Sequence, residues 1–138
     1  MSTSSRRAVL RHLLASAGML TAVRSAWAAT GPVHSVHPTP RRGVTGARVL
    51  TRLQLDHTPA LIPLFDAVRA APRVVDGIGC HCGCAELDGY YSLLSCFEGE
   101  AMARHCVICQ GQARLATRLH REGRTLDQIR DAVDAKFG

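Results

Sequence analysis

Aromatic side chains are scarce in this 138-residue chain: Phe, Trp and Tyr together make up 4%. A core must therefore be built from Leu, Val, Ile and Ala, and one small domain is all the length supports. Such a core gains from a staple, either a metal or disulfides. No basic stripe with interleaved aromatics is present, and the formal charge of +6 is misleading. Four of those charges are Arg6, Arg7, Arg11 and Arg24, in residues 1–28, which hold no acid; the rest of the chain carries +2. Charge thus gives no support to nucleic-acid binding. No apolar run reaches the roughly 20 residues of a membrane span. The C-x-x-C-H signature of covalent haem is absent, because Gln110 follows Cys109. No cysteine stands alone, as a Cys-His-Asp nucleophile would, and no internal repeat appears.

Thiols, by contrast, are dense. All six cysteines lie between Cys80 and Cys109: a C-x-C-x-C run (Cys80, Cys82, Cys84), then Cys96, then a C-x-x-C pair (Cys106, Cys109). A packed core does not need that density, whereas a soft metal or a thiol–disulfide relay does.

Residues 1–28 read as an export signal. Ser5-Arg6-Arg7-Ala8-Val9-Leu10-Arg11 resembles the twin-arginine translocation signal, with Val9 at the usual Phe. An apolar run from Leu13 to Val23 follows, and Ala26-Trp27-Ala28 fits a small-x-small cleavage site. The expected mature protein starts at Ala29, is not inserted in the membrane, and is periplasmic or secreted. Twin-arginine cargo often folds and loads its cofactor before export, and export places thiols in an oxidising compartment.

Residues 29–54 are expected to be a flexible linker, Pro-, Gly- and Thr-rich through Arg48. His34 and His37 within it read as solvated rather than ligating. Residues 55–138 are expected to form an all-α domain of about three to five helices around an irregular cysteine loop. Thr58-Pro59 reads as a helix start, with Leu61, Leu64, Phe65 and Val68 on one face and an end before Pro72. A short turn over Pro72–Asp76 and another over Ser92–Phe97, burying Leu94, flank the cysteine loop. A longer helix is predicted from about Arg104 to Arg121, with Val107, Ile108, Leu115 and Leu119 as its apolar side, Gly111 as a weak point and Gly123 as C-cap. Thr125-Leu126-Asp127-Gln128 is a capping box ahead of the stripe Leu126, Ile129, Val133, Phe137.

In an extended chain, residues i and i+2 stand about 6.6 Å apart on one face. Two thiolates on one tetrahedral zinc need sulfurs about 3.8 Å apart. The C-x-C-x-C run must therefore coil, and Gly79 and Gly83 are there to let it. Near a helix start, Cys106 and Cys109 share one side, and the helix dipole favours their thiolates. Three readings follow. Cys80, Cys82, Cys84, Cys96, Cys106 and Cys109 form a ligand pool for Cu(I) or Zn(II), with His81 and His105 as additional candidates. Or the pairs are redox-active. Or they form three structural disulfides, for which six cysteines allow fifteen pairings. The metal reading is preferred, since Cys80, Cys82 and Cys84 are poorly placed to bond one another. These residues do not decide between a binding protein and an enzyme. A metal donor or a redox partner protein is the natural partner of either.

Gly79-Cys80-His81-Cys82-Gly83-Cys84, Ser92-Leu93-Leu94-Ser95-Cys96-Phe97 and Cys106-Val107-Ile108-Cys109-Gln110, in that order, resemble the bacterial family named for its PCYCGC or CYCxC motif. The resemblance runs from about Leu61 to the C-terminus. Gly79 stands where the motif has Pro and His81 where it has Tyr, so no thiol is lost. Many relatives resemble lipoproteins, but no cysteine lies near this cleavage site. Some relatives carry selenocysteine at the position of Gly83. The resemblance implies redox or soft-metal chemistry at this loop and names no activity.

Overall fold

A computed structural model of the chain describes residues 37–84 and 89–138. The residues read as an export signal (Arg6, Arg7, Ala26, Ala28), the part of the expected linker before residue 37, and His34 lie outside the described residues. Among the described residues the architecture is all-α, with four α-helices and no strand; Val49 and Glu98 make one isolated antiparallel bridge.

Pro59 opens a 3₁₀ turn, Pro59–Leu61, and the first helix proper, α1, is Ile62–Ala70. Thr58 makes no side-chain cap. Pro63 sits in the first turn of α1, where a missing N–H costs nothing. Ala71 interrupts the helix and Pro72 starts α2, Pro72–Asp76. Among the described residues further 3₁₀ turns, Leu53–Leu55, Leu93–Phe97 and Met102–Arg104, lie in the connections. Helix α3 is Val107–Arg121 and α4 is Leu126–Phe137. Gly123, at φ +80°, turns the chain between them. At α4 the capping box forms as expected. Thr125 Oγ1 accepts from the Gln128 N–H at 3.3 Å, and Gln128 Oε1 accepts from the Thr125 N–H at 3.1 Å.

The core sits where α1, α2 and the Leu93–Phe97 turn meet α3 and α4. Leu64, Phe65, Val68, Val75, Ile78, Leu94, Phe97, Ile129 and Val133 are buried there, and the Phe65 and Phe97 rings meet edge-on at 4.9 Å. Leu61, Leu115, Leu119 and Phe137 pack against it only in part.

Helix α3 departs from its expected phase. Val107 is 77% exposed and Ile108 is 40% exposed. The buried side is instead Cys109, Gln112, Ala113, Ala116 and Thr117. Their spacing is helical, but only the alanines are aliphatic, and hydrophobicity alone selects the wrong arc. Alanines let neighbouring elements approach closely while Cys109 is carried inward. Gly111, expected to be a weak point, has a packing reason: a Cβ there would lie 3.0 Å from the Phe137 ring. The helix also starts three residues later than predicted.

Residues 37–54 are not a free linker. Val49 and Leu50 are buried, and the Leu50 N–H donates to the Phe97 carbonyl at 3.2 Å. The Arg69 guanidinium donates to the carbonyls of Leu50 and Val49. Arg130 donates to the carbonyls of Gly77 and Pro38, each at 2.9 Å. Arg41 closes on Asp76 through its backbone N–H at 2.7 Å and its Nη2 at 2.7 Å. Gly46 lies so close to α1 that a Cβ would stand 2.5 Å from the Arg69 carbonyl oxygen. The segment has no apolar period because distant arginines hold its backbone.

Candidate metal centre

The cysteine loop begins where Gly77 ends α2 and Ile78 anchors the chain in the core. Residues 81–83 form a tight turn, and Gly83 adopts φ +84°, a left-handed conformation that a side chain would resist. Gly79 does not share this role; its N–H donates to His37 Nδ1 at 3.0 Å. Cys96 is fully buried in the Leu93–Phe97 turn. Cys106 is the N-cap of α3, its sulfur accepting from the Cys109 N–H at 3.4 Å.

The turn brings the three loop thiols together and against α3. Sulfur separations are 3.1 Å for Cys80–Cys82, 2.6 Å for Cys82–Cys84, 3.6 Å for Cys80–Cys109 and 3.5 Å for Cys82–Cys109. Two sets emerge. The sulfurs of Cys80, Cys84, Cys96 and Cys109, all buried, lie within 4.8 Å of one another, and so do those of Cys82, Cys106 and Cys109, the first two half-buried. Cys109 belongs to both. All six cysteines are free thiols.

The thiols influence one another's protonation strongly. Hydrogen bonds from the Cys109 and Cys96 thiols hold Cys80 far below its ordinary range, against the effect of burial. Cys109 is pushed up by its hydrogen bonds to Cys80 and Cys96 and by burial. In Cys96 the hydrogen bond from Cys109 favours the thiolate, but the bond to Cys80 and burial outweigh it. Burial, then hydrogen bonds to Cys84 and Cys80, push Cys82 up. Burial also acts on Cys106, yet the Cys109 amide and thiol and the Ile108 amide bring it down, as expected of a helix N-cap. One thiolate therefore forms readily in the buried set and makes the next ones costly. A metal cation in place of the protons removes that repulsion, so this donor set fits a thiophilic ion.

The histidines are arranged differently from the expectation. The His81 side chain is 5% exposed; its Nε2 lies 2.9 Å from Asp134 Oδ1 and its Nδ1 contacts Gln112 Nε2. Both ring nitrogens face these residues, and His81 joins neither thiol set. His105 is exposed and also belongs to neither. His37, expected to be solvated, is 12% exposed, with Nε2 3.0 Å from Asp134 Oδ1. His57 and His120 are exposed. Asp134 of α4 thus stands between two imidazoles behind the thiol loop, and Gln112, fully buried, reaches the His81 backbone N–H at 3.4 Å. Sequence reasoning read His37 as solvated and passed over Gln112 and Asp134. Gln112 left one trace: a polar residue three positions after Cys109, on the same face of α3.

Burial lowers the pKa of His37, outweighing the opposing pull of Asp134. The unfolded chain then binds more protons than the folded one as pH falls through the ordinary value of 6.5. The stability that neutral His37 contributes is complete above 6.5 and lost below it. Denaturant midpoints are expected to decline between about pH 7 and pH 5, and to decline less in His37→Gln. Identical slopes in the two proteins would remove His37 from this role.

The fold and the site together define a small helical domain built around a buried thiol cluster. The family model described as "Protein of unknown function with PCYCGC motif" matches residues 32–138, and the chain belongs to that family. The match begins well before Leu61, in keeping with the packed N-terminal segment. No curated protein matches the chain, and no solved structure does.

Proposed function

We propose that this is an exported metal-binding protein that holds Cu(I) or Zn(II) in cell-envelope metal handling, receiving or delivering the ion through a partner protein. One observation carries the reading: four buried sulfurs, Cys80, Cys84, Cys96 and Cys109, converge from three separate elements. Structural disulfides use sulfurs in separate pairs, whereas four thiolates around one point make a closed tetrahedral site. Zn(II) and Cu(I) both suit such ligands. Export rests on Arg6-Arg7 and Ala26-Trp27-Ala28. The twin-arginine route would let the thiols bind metal before they meet an oxidising compartment.

The test is native mass spectrometry of protein recovered from outside the cytoplasm without chelator, with a thiol count after metal removal. Bound Cu or Zn, six free thiols and an N-terminus at Ala29 are expected. Metal-free protein without free thiols would replace the reading with structural disulfides. A second reading has its own observation, the 2.6 Å approach of Cys82 and Cys84 sulfurs, with Cys82 half-buried. It makes this a redox pair of the cell envelope, and metal-free protein with one reversibly oxidised pair would favour it.

A further inference from the structure

Six thiols exceed what one tetrahedral ion can use. Once Cys80, Cys84, Cys96 and Cys109 are assigned to a buried ion, Cys82 and Cys106 remain. They are not scattered: both meet the same Cys109 sulfur, and the three lie within 4.8 Å of one another. Cys109 Sγ is within reach of both groups, 3.6 Å from Cys80 Sγ and 3.5 Å from Cys82 Sγ, which are themselves 3.1 Å apart. A thiolate sulfur has lone pairs enough to bridge two metals.

We infer that the cluster is a two-metal centre in which the Cys109 thiolate bridges a closed four-thiolate site and an outer three-thiolate site formed with Cys82 and Cys106. The inference rests on the metal-binding reading above and adds to it how the metal enters and leaves. Charge points the same way. Six thiolates around a single divalent ion would leave four negative charges uncompensated in a mostly buried cluster, and a second ion removes two of them. The two sites differ in access. The inner one draws only on buried cysteines, while Cys82 and Cys106 are half-buried. Cys106 also sits at the start of α3, where the Cys109 N–H stabilises its thiolate. With three protein sulfurs the outer ion has a vacant or exchangeable position, as in metal sites that take a further ligand. The chemistry that would occupy it is a thiol of a donor or acceptor protein, which displaces one protein sulfur at a time. The inner ion then holds the fold together while the outer one is exchanged.

The full chain, reduced and stripped of metal, is titrated with Zn(II) alone and separately with Cu(I) alone, and read by native mass spectrometry. X-ray absorption at the metal edge reports any metal–metal scattering path. Two ions per chain with such a path are expected for the unaltered protein with at least one of the metals. Cys106→Ser and Cys82→Ser should each bind one ion, lose the path and keep the melting temperature of the one-ion form. Adding excess glutathione to the two-ion protein should remove one ion and leave the other. An unaltered protein that saturates at one ion overturns the two-metal centre and leaves the buried site standing. Two ions without a metal–metal path overturn the bridging role of Cys109. A protein that binds neither metal overturns this inference and the proposed function together.

Discussion

If the thiol cluster holds an ion as proposed, stripping it from the reduced protein is expected to lower the melting temperature by roughly 15–30 °C. The size follows from linkage: a ligand at about a thousand times its dissociation constant stabilises by about 4 kcal/mol. A domain of this length shifts by about 4–8 °C per kcal/mol. The structural reason is that Cys80, Cys84, Cys96 and Cys109 tie the loop after α2, the Leu93–Phe97 turn and α3 to one point. Without an ion, each additional thiolate repels those already formed, and protonated thiols bring no comparable bond. The loss should be reversed by adding back Zn(II), and it should be smaller in Cys96→Ser, which keeps only three sulfurs of the buried set and is destabilised from the outset. Cys96 is fully buried, so its serine variant leaves a hydroxyl in the core as well as a missing ligand. Calorimetry with and without chelator measures both. Equal melting temperatures with and without metal would mean that the cluster does not hold the fold together.

Arg41→Ala is expected to cost about 3 kcal/mol, the lower end for breaking a buried ion pair, because the Arg41 side chain is 38% exposed and partly screened. The penalty arises at Asp76, which is fully buried and whose carboxylate accepts from Arg41 Nη2 at 2.7 Å, from the Arg41 N–H at 2.7 Å and from Ser92 Oγ at 2.7 Å. Removing the guanidinium leaves a buried charge with two neutral donors. It also removes the cation from above the Tyr91 ring, 5.1 Å away. Arg41→Lys should recover part of the loss, since a single ammonium cannot reproduce the paired contacts of Nε and Nη2. Acid resolves the same interaction. Burial pushes the Asp76 carboxyl up, but hydrogen bonds from the Arg41 side chain and backbone and from Ser92 outweigh it and hold it below its ordinary 3.8. Its contribution is therefore present above 3.8 and disappears as pH falls through the lower folded-state value. Urea midpoints from pH 7 to pH 2 should show this acid limb in the unaltered protein and a weaker one in Arg41→Ala. A loss under 1 kcal/mol at neutral pH would show that Asp76 does not depend on Arg41.

Local signals determined much of this molecule. The capping box Thr125–Gln128 and the stripe Ile129, Val133 define α4 without outside help, because their partners lie within a few residues on the same helix. Leu64, Phe65 and Val68 identify the buried face of α1 in the same way, and the prolines mark where α1 and α2 begin. The clustering of all thiols between Cys80 and Cys109, and the need for a coiled loop with a glycine at Gly83, are likewise legible in the chain. Tertiary structure decided what depends on residues far apart. Val107 and Ile108 face outward because Cys109, Ala113 and Ala116 are drawn inward, a choice made by the elements packed on α3 rather than by hydrophobicity. Residues 37–54 are ordered by Arg69, Asp76 and Arg130, through hydrogen bonds that no local pattern records. His37 and His81 meet at Asp134, supplied by α4. The grouping of six thiols into a buried four and a half-buried three is decided in the same way. Sequence spacing shows how many sulfurs there are, but the direction of each is set by the turn at Gly83, the burial of Cys96 and the rotation of α3 that makes Cys109 common to the two groups.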